Sequence, residues 1–472
     1  MSEEATLDDY TEQGDEGEAG PEQEVDGLDQ EQFGPFTLST PGEWTAKRLG
    51  EIKRLITRGK QPTYANEGAP VINQECIYWD GWHFENLRYL DEEVAEDWKE
   101  KYFPQSGDVI LNSTGQGTLG RAQVYPDNER RAIDSHVTLL RTEDGLNPYF
   151  HRYFLESYLG QALLYSMCVN GSTGQIELSK TRLDLLPIPL PPLNEQRNIA
   201  TVLRTVDQAI QKTEEIESKI RQTKKGVVQD VLERGLGKSE TSDTSTKLGK
   251  IPSHWEVTTI ENIVADEENA FTDGARYSLS SADIYEQGEA RAILLQEVGE
   301  GEFNDEDPKF ATAEKYEEIT HRAIYPGEVV VAKMADPVAR ACLVPEKYDK
   351  YLLGCADVVR VQTNDEFDDR FLMYCMNSHK VWRQAVAHLR GTGRSRINLE
   401  NIAELKLPKP PLKEQVEIAD TIEQFDRRVE NEQGYRDRLQ RLKQGLMQDL
   451  LSGTVRTADT NIEVSEEIAQ HG

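Results

Sequence analysis

Two loops rich in glycine and hydroxyl residues carry the side chains whose types and spacing suggest chemistry. One spans residues 170–175 (NGSTGQ) and the other residues 390–396 (RGTGRSR). Arginine forms paired hydrogen bonds with guanine or phosphate, and asparagine and glutamine do so with adenine. The chemistry these loops offer is therefore hydrogen-bond recognition of planar groups and anions.

Common catalytic and nucleotide-binding patterns are absent from the sequence. It has no N/D-P-P-Y/F motif of an amino-methyltransferase, no G-x-x-x-x-G-K-[S/T] phosphate loop and no evident PD…(D/E)xK nuclease spacing. Residues 115–120 (GQGTLG) match G-x-G-x-x-G, but the following residues 121–126 are strand-like and end in proline, whereas a dinucleotide loop opens a helix. We expect a non-catalytic protein in which this loop makes a turn or approaches a ligand.

The elements that position these loops occur twice along the chain. Three pairs of segments have similar sequences at a nearly constant offset: 41–44 with 252–255, 191–196 with 410–415, and 226–232 with 445–451. The last two pairs share an offset of 219 residues. This repetition predicts two halves, each consisting of a globular unit followed by a helix.

Each half ends in a stretch with the period of a coiled coil. Apolar residues recur at alternating steps of four and three, which is the a/d spacing of paired helices. The predicted seam consists of Ile199, Leu203, Val206, Ile210, Ile220, Val227 and Val231 in the first helix, and Ile418, Ile422, Phe425, Val429, Leu439, Leu446 and Leu450 in the second. Prolines before each stretch and Gly235 and Gly453 after it suit helix ends.

The two predicted helices need a partner for their apolar stripes. Each is about 40 residues, or roughly 60 Å, long, and a helix with such a stripe is not stable alone. We expect the two helices to pack antiparallel on each other within the chain. The alternatives are that each helix packs on its own globular unit or pairs with another chain.

The globular units have alternating strand-like and helical segments, so the predicted fold class is α+β. Buried-strand patterns at 108–111 and 328–332 follow turn signals, and helical patterns cover 148–161 and 370–386. The predicted organisation is an acidic disordered tail (1–32), a first globular domain (33–190), a first long helix (191–236), a polar linker (237–249), a second globular domain (250–409), a second long helix (410–455) and a disordered tail (456–472).

The charge of the chain is strongly acidic, which ordinarily disfavours a nucleic-acid binder. The net charge is −32, and 13 of the acidic residues lie in residues 1–32, which contain no lysine or arginine. Such acidity is typical of proteins from a cytoplasm at molar salt, where the Debye length is about 3 Å and local arginines can still hold phosphate. An acidic protein of ordinary salt tolerance is the alternative.

Cysteine usage and hydropathy predict a cytoplasmic protein. The five cysteines form no C-x-x-C pair, which argues against a disulfide framework or a zinc ribbon. No apolar run is long enough to span a membrane, and the acidic N-terminus does not look like a secretory signal.

The repeated motifs resemble a known family. Residues 171–203 (GSTGQIELSKTRLDLLPIPLPPLNEQRNIATVL) and residues 405–422 (LKLPKPPLKEQVEIADTI) look like the signature of type I restriction-modification specificity subunits. The order of domain, long helix, domain, long helix is similar to that family over most of residues 41–456. The globular units would then be target-recognition domains, joined by an antiparallel coiled coil.

The resemblance implies a function and a set of partners. Two different reading domains would recognise a bipartite, asymmetric site on double-stranded DNA, with the helix pair as a ruler. The helices would dock DNA adenine methyltransferase subunits, two in this family, and restriction/translocase subunits would join them. S-adenosylmethionine, ATP and Mg²⁺ would belong to those partners, and this chain would bind no cofactor or metal. The alternatives are a related system with a fused nuclease and methyltransferase, a scaffold protein without DNA function, and a stand-alone methyltransferase or nuclease.

Side chains able to read bases or hold phosphate on loops are the candidate DNA contacts. They are Asn112, Thr114, Gln116, Arg121, Ser172, Thr173, Gln175 and Lys180 in the first domain, and Lys333, Arg340, Arg390, Thr392, Arg394, Ser395 and Arg396 in the second. The second set is rich in arginine. The first relies on asparagine and glutamine, which would favour adenine in its half-site.

Overall fold

The structure, a computed structural model, describes residues 28–471 apart from 34–35, 172–175, 238, 245, 275–278, 280–281, 335 and 390–395. Its contacts divide the chain into a first unit, residues 1–214 and 434–472, and a second unit, residues 215–433. Each unit thus holds one globular domain together with one half of each long helix. This partition differs from the predicted order, in which each helix follows its domain as a separate element.

Two four-stranded sheets, β4-β11-β8-β9 and β10-β6-β7-β5, build the globular domain of the first unit. The strands of this unit are β1 (Leu28–Phe33), β2 (Phe36–Pro41), β3 (Thr45–Arg48), β4 (Lys53–Arg58), β5 (Tyr64–Ala65), β6 (Ala69–Ile72), β7 (Arg88–Leu90), β8 (Val109–Asn112), β9 (Ala122–Val124), β10 (Ala132–Ile133), β11 (Val137–Thr142), β12 (Val169–Asn170), β13 (Glu177–Leu178) and β14 (Pro187–Leu190).

The second unit repeats this arrangement with the sheets β18-β25-β22-β23 and β20-β19-β24-β21. Its strands are β15 (Thr241–Asp243), β16 (Lys250–Pro252), β17 (Glu256–Thr259), β18 (Phe271–Asp273), β19 (Ala290–Ile293), β20 (Lys309–Ala311), β21 (Ala323–Ile324), β22 (Val329–Ala332), β23 (Ala341–Leu343), β24 (Tyr351–Leu353), β25 (Val358–Val361) and β26 (Lys406–Lys409). Strands β8 and β22 each pair antiparallel with both neighbours, and all their residues are buried. Their apolar runs therefore reflect strands covered on both faces.

The helices include two that are far longer than the rest. The α-helices are α1 (Leu49–Ile52), α2 (Glu92–Glu96), α3 (Pro148–Glu156), α4 (Tyr158–Leu163), α5 (Lys180–Leu183), α6 (Leu193–Arg234), α7 (Ile260–Ile263), α8 (Ala313–Glu318), α9 (Asp369–Met376), α10 (His379–Ala387), α11 (Leu399–Ala403), α12 (Leu412–Leu451) and α13 (Glu466–Ala469). Single turns of other helix types lie at Gln74–Cys76, Phe84–Asn86, Glu100–Tyr102, Leu164–Cys168 and Thr320–Arg322. No helix among the described residues is long and apolar enough to cross a lipid bilayer.

The prediction that the two long helices pack together antiparallel is confirmed within each unit. In the first unit Ile199 and Leu203, near the start of α6, share a core with Leu450, near the end of α12. In the second unit Val231, near the end of α6, shares a core with Ile418, near the start of α12. Residue numbers thus rise along one helix as they fall along the other.

The predicted seam residues all face the protein interior to some degree. Ten are buried, and Ile210, Val227, Phe425 and Leu446 are half-buried. Gly235, directly after α6, has a φ of +67°, and Gly453, shortly after α12, has a φ of +76°. This left-handed conformation is the one that glycine adopts readily where a helix ends.

The prediction of a disordered C-terminal tail at 456–472 is wrong for the described part, residues 456–471. Ile468 in α13 is fully buried in the core of the first unit. Asn147, which caps α3, also donates Nδ2 hydrogen bonds to the carbonyls of Ile468 and His471, each at 3.0 Å. The segment is short and lacks helical periodicity, so its sequence did not indicate an ordered structure. Its order comes from tertiary contacts with the first unit.

Two further boundaries need correction. Part of the predicted linker at 237–249 forms β15, which pairs antiparallel with β16. Residues 28–32 of the predicted acidic tail belong to β1, which pairs with β2, and residues 1–27 lie outside the described residues.

Candidate nucleic-acid interface

Three segments of the first unit meet beside the sheet β4-β11-β8-β9. The loop after β8, the turn before β11 and strand β13 are joined by backbone hydrogen bonds. Leu178 N donates to Ser113 O, and Ser113 N donates to His136 O, both at 2.8 Å. Thr114 and Glu177 form an isolated β-bridge. The loop after β8, the turn before β11 and strand β13 are therefore held together by main-chain hydrogen bonds.

Four polar side chains, the first polar cluster, lie at this junction: Arg58, Thr114, His136 and Glu177. Arg58 Nη1 lies 2.9 Å from Glu177 Oε2 in an ion pair, while Arg58 Nε donates to the carbonyl of Ser135 at 2.6 Å. Thr114 Oγ1 lies 2.8 Å from His136 Nδ1. Glu177 and His136 are exposed, so the cluster presents a carboxylate and an imidazole to solvent.

The second unit builds the same junction from equivalent segments. Ile397 N donates to Lys333 O at 2.9 Å, and Lys333 N donates to Asp357 O at 2.7 Å. Met334 and Arg396 form the isolated β-bridge that corresponds to the bridge in the first unit. The main-chain framework of the two junctions is thus shared.

A second polar cluster lies at this second junction, and it consists of Asp273, Lys333, Asp357 and Arg396. Arg396 Nη2 lies 3.0 Å from Asp357 Oδ1, and the Lys333 ammonium pairs with Asp273. The Arg396 side chain is 47% exposed, whereas that of Lys333 is 5% exposed. A cleft of about 440 Å³ adjoins the cluster and is lined by Asp273, Lys333, Arg396, Asn398, Leu399 and Glu400.

The two clusters place different charges on one scaffold. The position bridged to the loop is Glu177 in the first unit and Arg396 in the second. The residue whose carbonyl is hydrogen-bonded by the loop is His136 in the first unit and Asp357 in the second. The two domains share a main-chain framework but carry different exposed polar side chains. This arrangement is expected of two domains that bind the same class of ligand and recognise different patterns of polar groups on it.

The structure describes eight of the predicted contact residues. Gln116, Lys180 and Arg396 are exposed and Thr114 is half-buried, so their predicted roles stay predictions. Seven predicted contacts lie outside the described residues: Ser172, Thr173, Gln175, Arg390, Thr392, Arg394 and Ser395.

Burial corrects the predicted roles of Asn112 and Arg121. Asn112 is fully buried, and its Nδ2 donates to the carbonyls of Gln74 at 3.1 Å and Ile77 at 3.4 Å. Arg121 is 2% exposed, with its guanidinium 4.8 Å from the ring centroid of Tyr78. Both side chains hold the loop after β8 against its surroundings, and neither is placed to touch DNA.

The basic residues Lys333 and Arg340 of the second unit need the same correction. Lys333 is 4% exposed and its charge is balanced by Asp273. Burial lowers the pKa of Arg340. Its guanidinium donates to four backbone carbonyls, those of Leu295, Val298, Met334 and Pro337. Lys333 is buried and Arg340 is half-buried, and both stabilise the loop after β22 through contacts within the unit. The sequence showed their residue types but did not reveal this supporting role.

Sequence reasoning missed Arg58, Glu177, His136 and Asp357. The repeat contained a usable signal, because Glu177 and Arg396 are separated by the same 219 residues as the helix motifs. A search for equivalent positions that differ in charge would have found this pair. Arg58 offered no comparable signal, since only the fold brings it to Glu177.

The glycines in the loop at 115–120 allow backbone conformations that other residues rarely adopt. Gly115, Gly117 and Gly120 have φ values of +95°, +81° and +92°, a region that disfavours other residues. The chain then continues into strand β9 rather than into a helix. The loop is therefore a tight turn that carries Gln116 at its exposed tip.

Comparison with known proteins finds one family. The profile described as type I restriction modification DNA specificity domain matches residues 41–222 and again 252–441. A putative type I restriction enzyme MjaX specificity subunit from Methanocaldococcus jannaschii is 24% identical over 422 residues, covering 88% of this chain and 94% of that protein. The type I restriction enzyme MjaVIII specificity subunit of the same organism is 22% identical over 437 residues, covering 90% and 96%.

Solved structures show the same fold. A chain from a study of complex assembly and conformational transition of the type I R-M system has a TM-score of 0.54 and 17% identity, covering 89% of this chain and all of that one. The S subunit of a type I restriction-modification system from M. genitalium has a TM-score of 0.50 and 15% identity, covering 86% and 96%.

Proposed function

Because the chain belongs to the family of type I restriction-modification DNA specificity subunits, we propose that it reads a bipartite, asymmetric site on double-stranded DNA. Subunits of this family recognise DNA and are not catalytic. The observation that supports the bipartite, asymmetric site is the pair of polar clusters. One scaffold occurs twice and carries Glu177 in one copy and Arg396 in the other. Two readers of different chemistry would recognise two different half-sites.

The clusters favour different bases. A half-exposed guanidinium such as that of Arg396 suits guanine O6 and N7 in the major groove. In the first unit, the amide of Gln116 suits adenine and the carboxylate of Glu177 suits the cytosine amino group. We propose that the arginine-rich loop at 390–396, together with the second cluster, reads a guanine-containing half-site.

The long helices suit a spacer and a docking platform. Helix α6 has 42 residues, which corresponds to about 63 Å at 1.5 Å per residue. We propose that α6 and α12 form an antiparallel coiled coil that separates the half-sites and docks two DNA adenine methyltransferase subunits, with restriction/translocase subunits completing an endonuclease complex. S-adenosylmethionine, ATP and Mg²⁺ would be bound by those partners. A single partner that combines nuclease and methyltransferase would use the same surfaces.

Mapping of adenine methylation tests the proposal. Genomic DNA from cells that carry this gene with a neighbouring methyltransferase gene is compared, by single-molecule sequencing, with DNA from cells in which this gene alone is deleted. We expect an asymmetric bipartite motif, with an adenine in each half on one strand or the other, that loses methylation on deletion. Methylation that persists unchanged after deletion would contradict a reading role.

The acidity of the chain supports salt adaptation and a cytoplasmic location at high salt. If the net charge of −32 reflects such an environment, screening should relieve self-repulsion as salt rises. We expect the free energy of unfolding to increase as KCl is raised from about 0.1 M to about 1 M. Urea unfolding at several KCl concentrations measures this, and a maximum at low salt would show an ordinary acidic protein.

A further inference from the structure

A largely buried group of charges joins three helices in the first unit. Asp207 of α6 accepts a hydrogen bond from Tyr153 Oη at 2.7 Å and one from Arg152 Nη1 at 3.1 Å, both on α3. Lys443 of α12 reaches the same carboxylate, with its Nζ 2.7 Å from Asp207 Oδ1. The side chains of Arg152 and Lys443 are only 5% and 13% exposed. One carboxylate thus ties the recognition domain to both long helices.

The second unit repeats this group with the roles of the two long helices exchanged. Asp426 of α12 accepts a hydrogen bond from Tyr374 Oη of α9 at 2.8 Å and pairs with Lys224 of α6. Asp207 and Asp426 are 219 residues apart, and so are Lys224 and Lys443. The aspartate comes from the long helix that follows the domain in sequence, and the lysine comes from the other long helix.

These contacts distinguish helix registers that apolar packing does not. The apolar seam repeats at heptad spacing along much of each helix, although polar residues such as Thr213 and Glu217 interrupt it, so a shift of one heptad would still bring many apolar residues together. The same shift would leave a half-buried aspartate and a half-buried lysine unpaired, which is unfavourable. Burial alone would raise the pKa of Asp207, but Arg152 and Lys443 outweigh it and lower that pKa, so the carboxylate stays charged.

We propose that these two groups are register locks that fix where each recognition domain sits along the helix pair. The first lock is Tyr153, Asp207 and Lys443, and the second is Tyr374, Asp426 and Lys224. Through that placement they set the number of unread base pairs between the two half-sites. This inference rests on the proposed DNA-reading function, to which it adds positioning residues that do not touch DNA.

The two locks differ in size, which makes the second one easier to test. In the first unit Lys443 also pairs with Glu156 at 2.5 Å, and Arg152 pairs with Glu156 at 2.8 Å. The second unit has Met373 and Asn377 at the positions equivalent to Arg152 and Glu156. Its lock is therefore one ion pair and one tyrosine, and the charges can be exchanged without disturbing a larger network.

The experiment measures spacer discrimination by the assembled complex of the chain with its methyltransferase. Duplexes carry the mapped half-sites with the native spacer or with one base pair more or fewer. We expect Lys224→Met to lower the ratio of methylation on the native spacer to that on the altered spacers by about fivefold or more. The double exchange Lys224→Asp with Asp426→Lys should restore the ratio. Lys225→Met, which changes the neighbouring exposed lysine of α6, is the matched control and should leave the ratio unchanged.

The outcomes separate the lock from a general structural role. A loss of methylation that is equal on all spacers, or an unchanged ratio in folded Lys224→Met, would overturn the register lock and leave the proposed function standing. If Lys224→Met does not fold, Tyr374→Phe removes one hydrogen bond from Asp426 and should lower the ratio in the same direction. Absence of any bipartite methylated site with the wild-type chain would overturn the proposed function itself.

Discussion

Replacing Arg394 and Arg396 together by alanine is expected to weaken binding of the methyltransferase complex to its site about tenfold or more. A bidentate contact between arginine and guanine contributes about 1–3 kcal/mol of discrimination, and tenfold corresponds to about 1.4 kcal/mol. The Arg396 side chain is 47% exposed and ion-paired with Asp357 at 3.0 Å, which restricts its orientation. The net charge of −32 means that the chain as a whole repels phosphate, so loss of a local cation is not offset by the overall charge.

Fluorescence anisotropy at fixed salt, with duplexes that contain or lack the mapped site, measures this effect. If the arginines read bases, specific binding should fall more than nonspecific binding, whereas phosphate contacts would weaken both equally and reduce the salt dependence. The control Arg383→Ala with Lys406→Ala removes the same charge from exposed positions of the second domain that lie outside the second polar cluster and outside the long helices. Unchanged affinity of a correctly folded Arg394/Arg396 variant would exclude this loop as a contact.

The duplication and the long helices could be predicted because their signals are local and repeated. The heptad spacing covers five turns or more of each helix, and the prolines before residues 193 and 412 lie close to the observed helix starts. The strands β8 and β22 could be predicted equally well, because a strand that is buried on both faces has an uninterrupted apolar run. These features depend on residues near one another in sequence.

The polar side chains of the interface could be predicted only in part, because their exposure is a tertiary property. Asn112 and Lys333 lie at the ends of equivalent strands and have the chemistry of DNA contacts, yet both are buried by segments distant in sequence. Glu177 has a residue type that argues against phosphate binding, but the fold places it opposite Arg58 at an exposed junction. The C-terminal segment was predicted to be disordered for a related reason. Its order depends on contacts with the first unit, which its own sequence does not reveal.

Replacing Arg456 by methionine is expected to destabilise the first unit by about 3 kcal/mol at pH 7. Glu195, in the first turn of α6, is fully buried and has its charge balanced by Arg456, with Nε–Oε1 and Nη2–Oε2 distances of 2.8 and 2.9 Å. Thr457 N and Trp44 Nε1 also donate to this carboxylate, at 3.1 and 3.0 Å. Methionine retains much of the side-chain volume but leaves a buried carboxylate without its cation.

The pH dependence of that loss identifies its cause. Burial raises the pKa of Glu195, but hydrogen bonds from Arg456, Thr457 and Trp44 outweigh it and lower the pKa in the native protein. The carboxylate therefore contributes stability above the unfolded pKa of about 4.3, and this contribution is lost as pH falls through the lowered native pKa. Without Arg456 the balance moves toward burial, the native pKa rises, and Glu195 can bind a proton. The destabilisation should then shrink as pH is lowered from 7 towards about 5.

Urea unfolding at pH 7 and pH 5, with hydrogen exchange of peptides from α6 to assign the transition, measures both effects. The second unit offers a matched control, because Glu414 accepts a hydrogen bond from Trp255 Nε1 at 3.0 Å and lies 2.9 Å from His254 Nε2. The Glu414 side chain is 20% exposed and His254 is 47% exposed, so His254→Ala should cost less than about 1 kcal/mol. A loss in Arg456→Met that is equally large at pH 5 would mean that packing of the C-terminal segment, rather than the charge on Glu195, holds the first unit together.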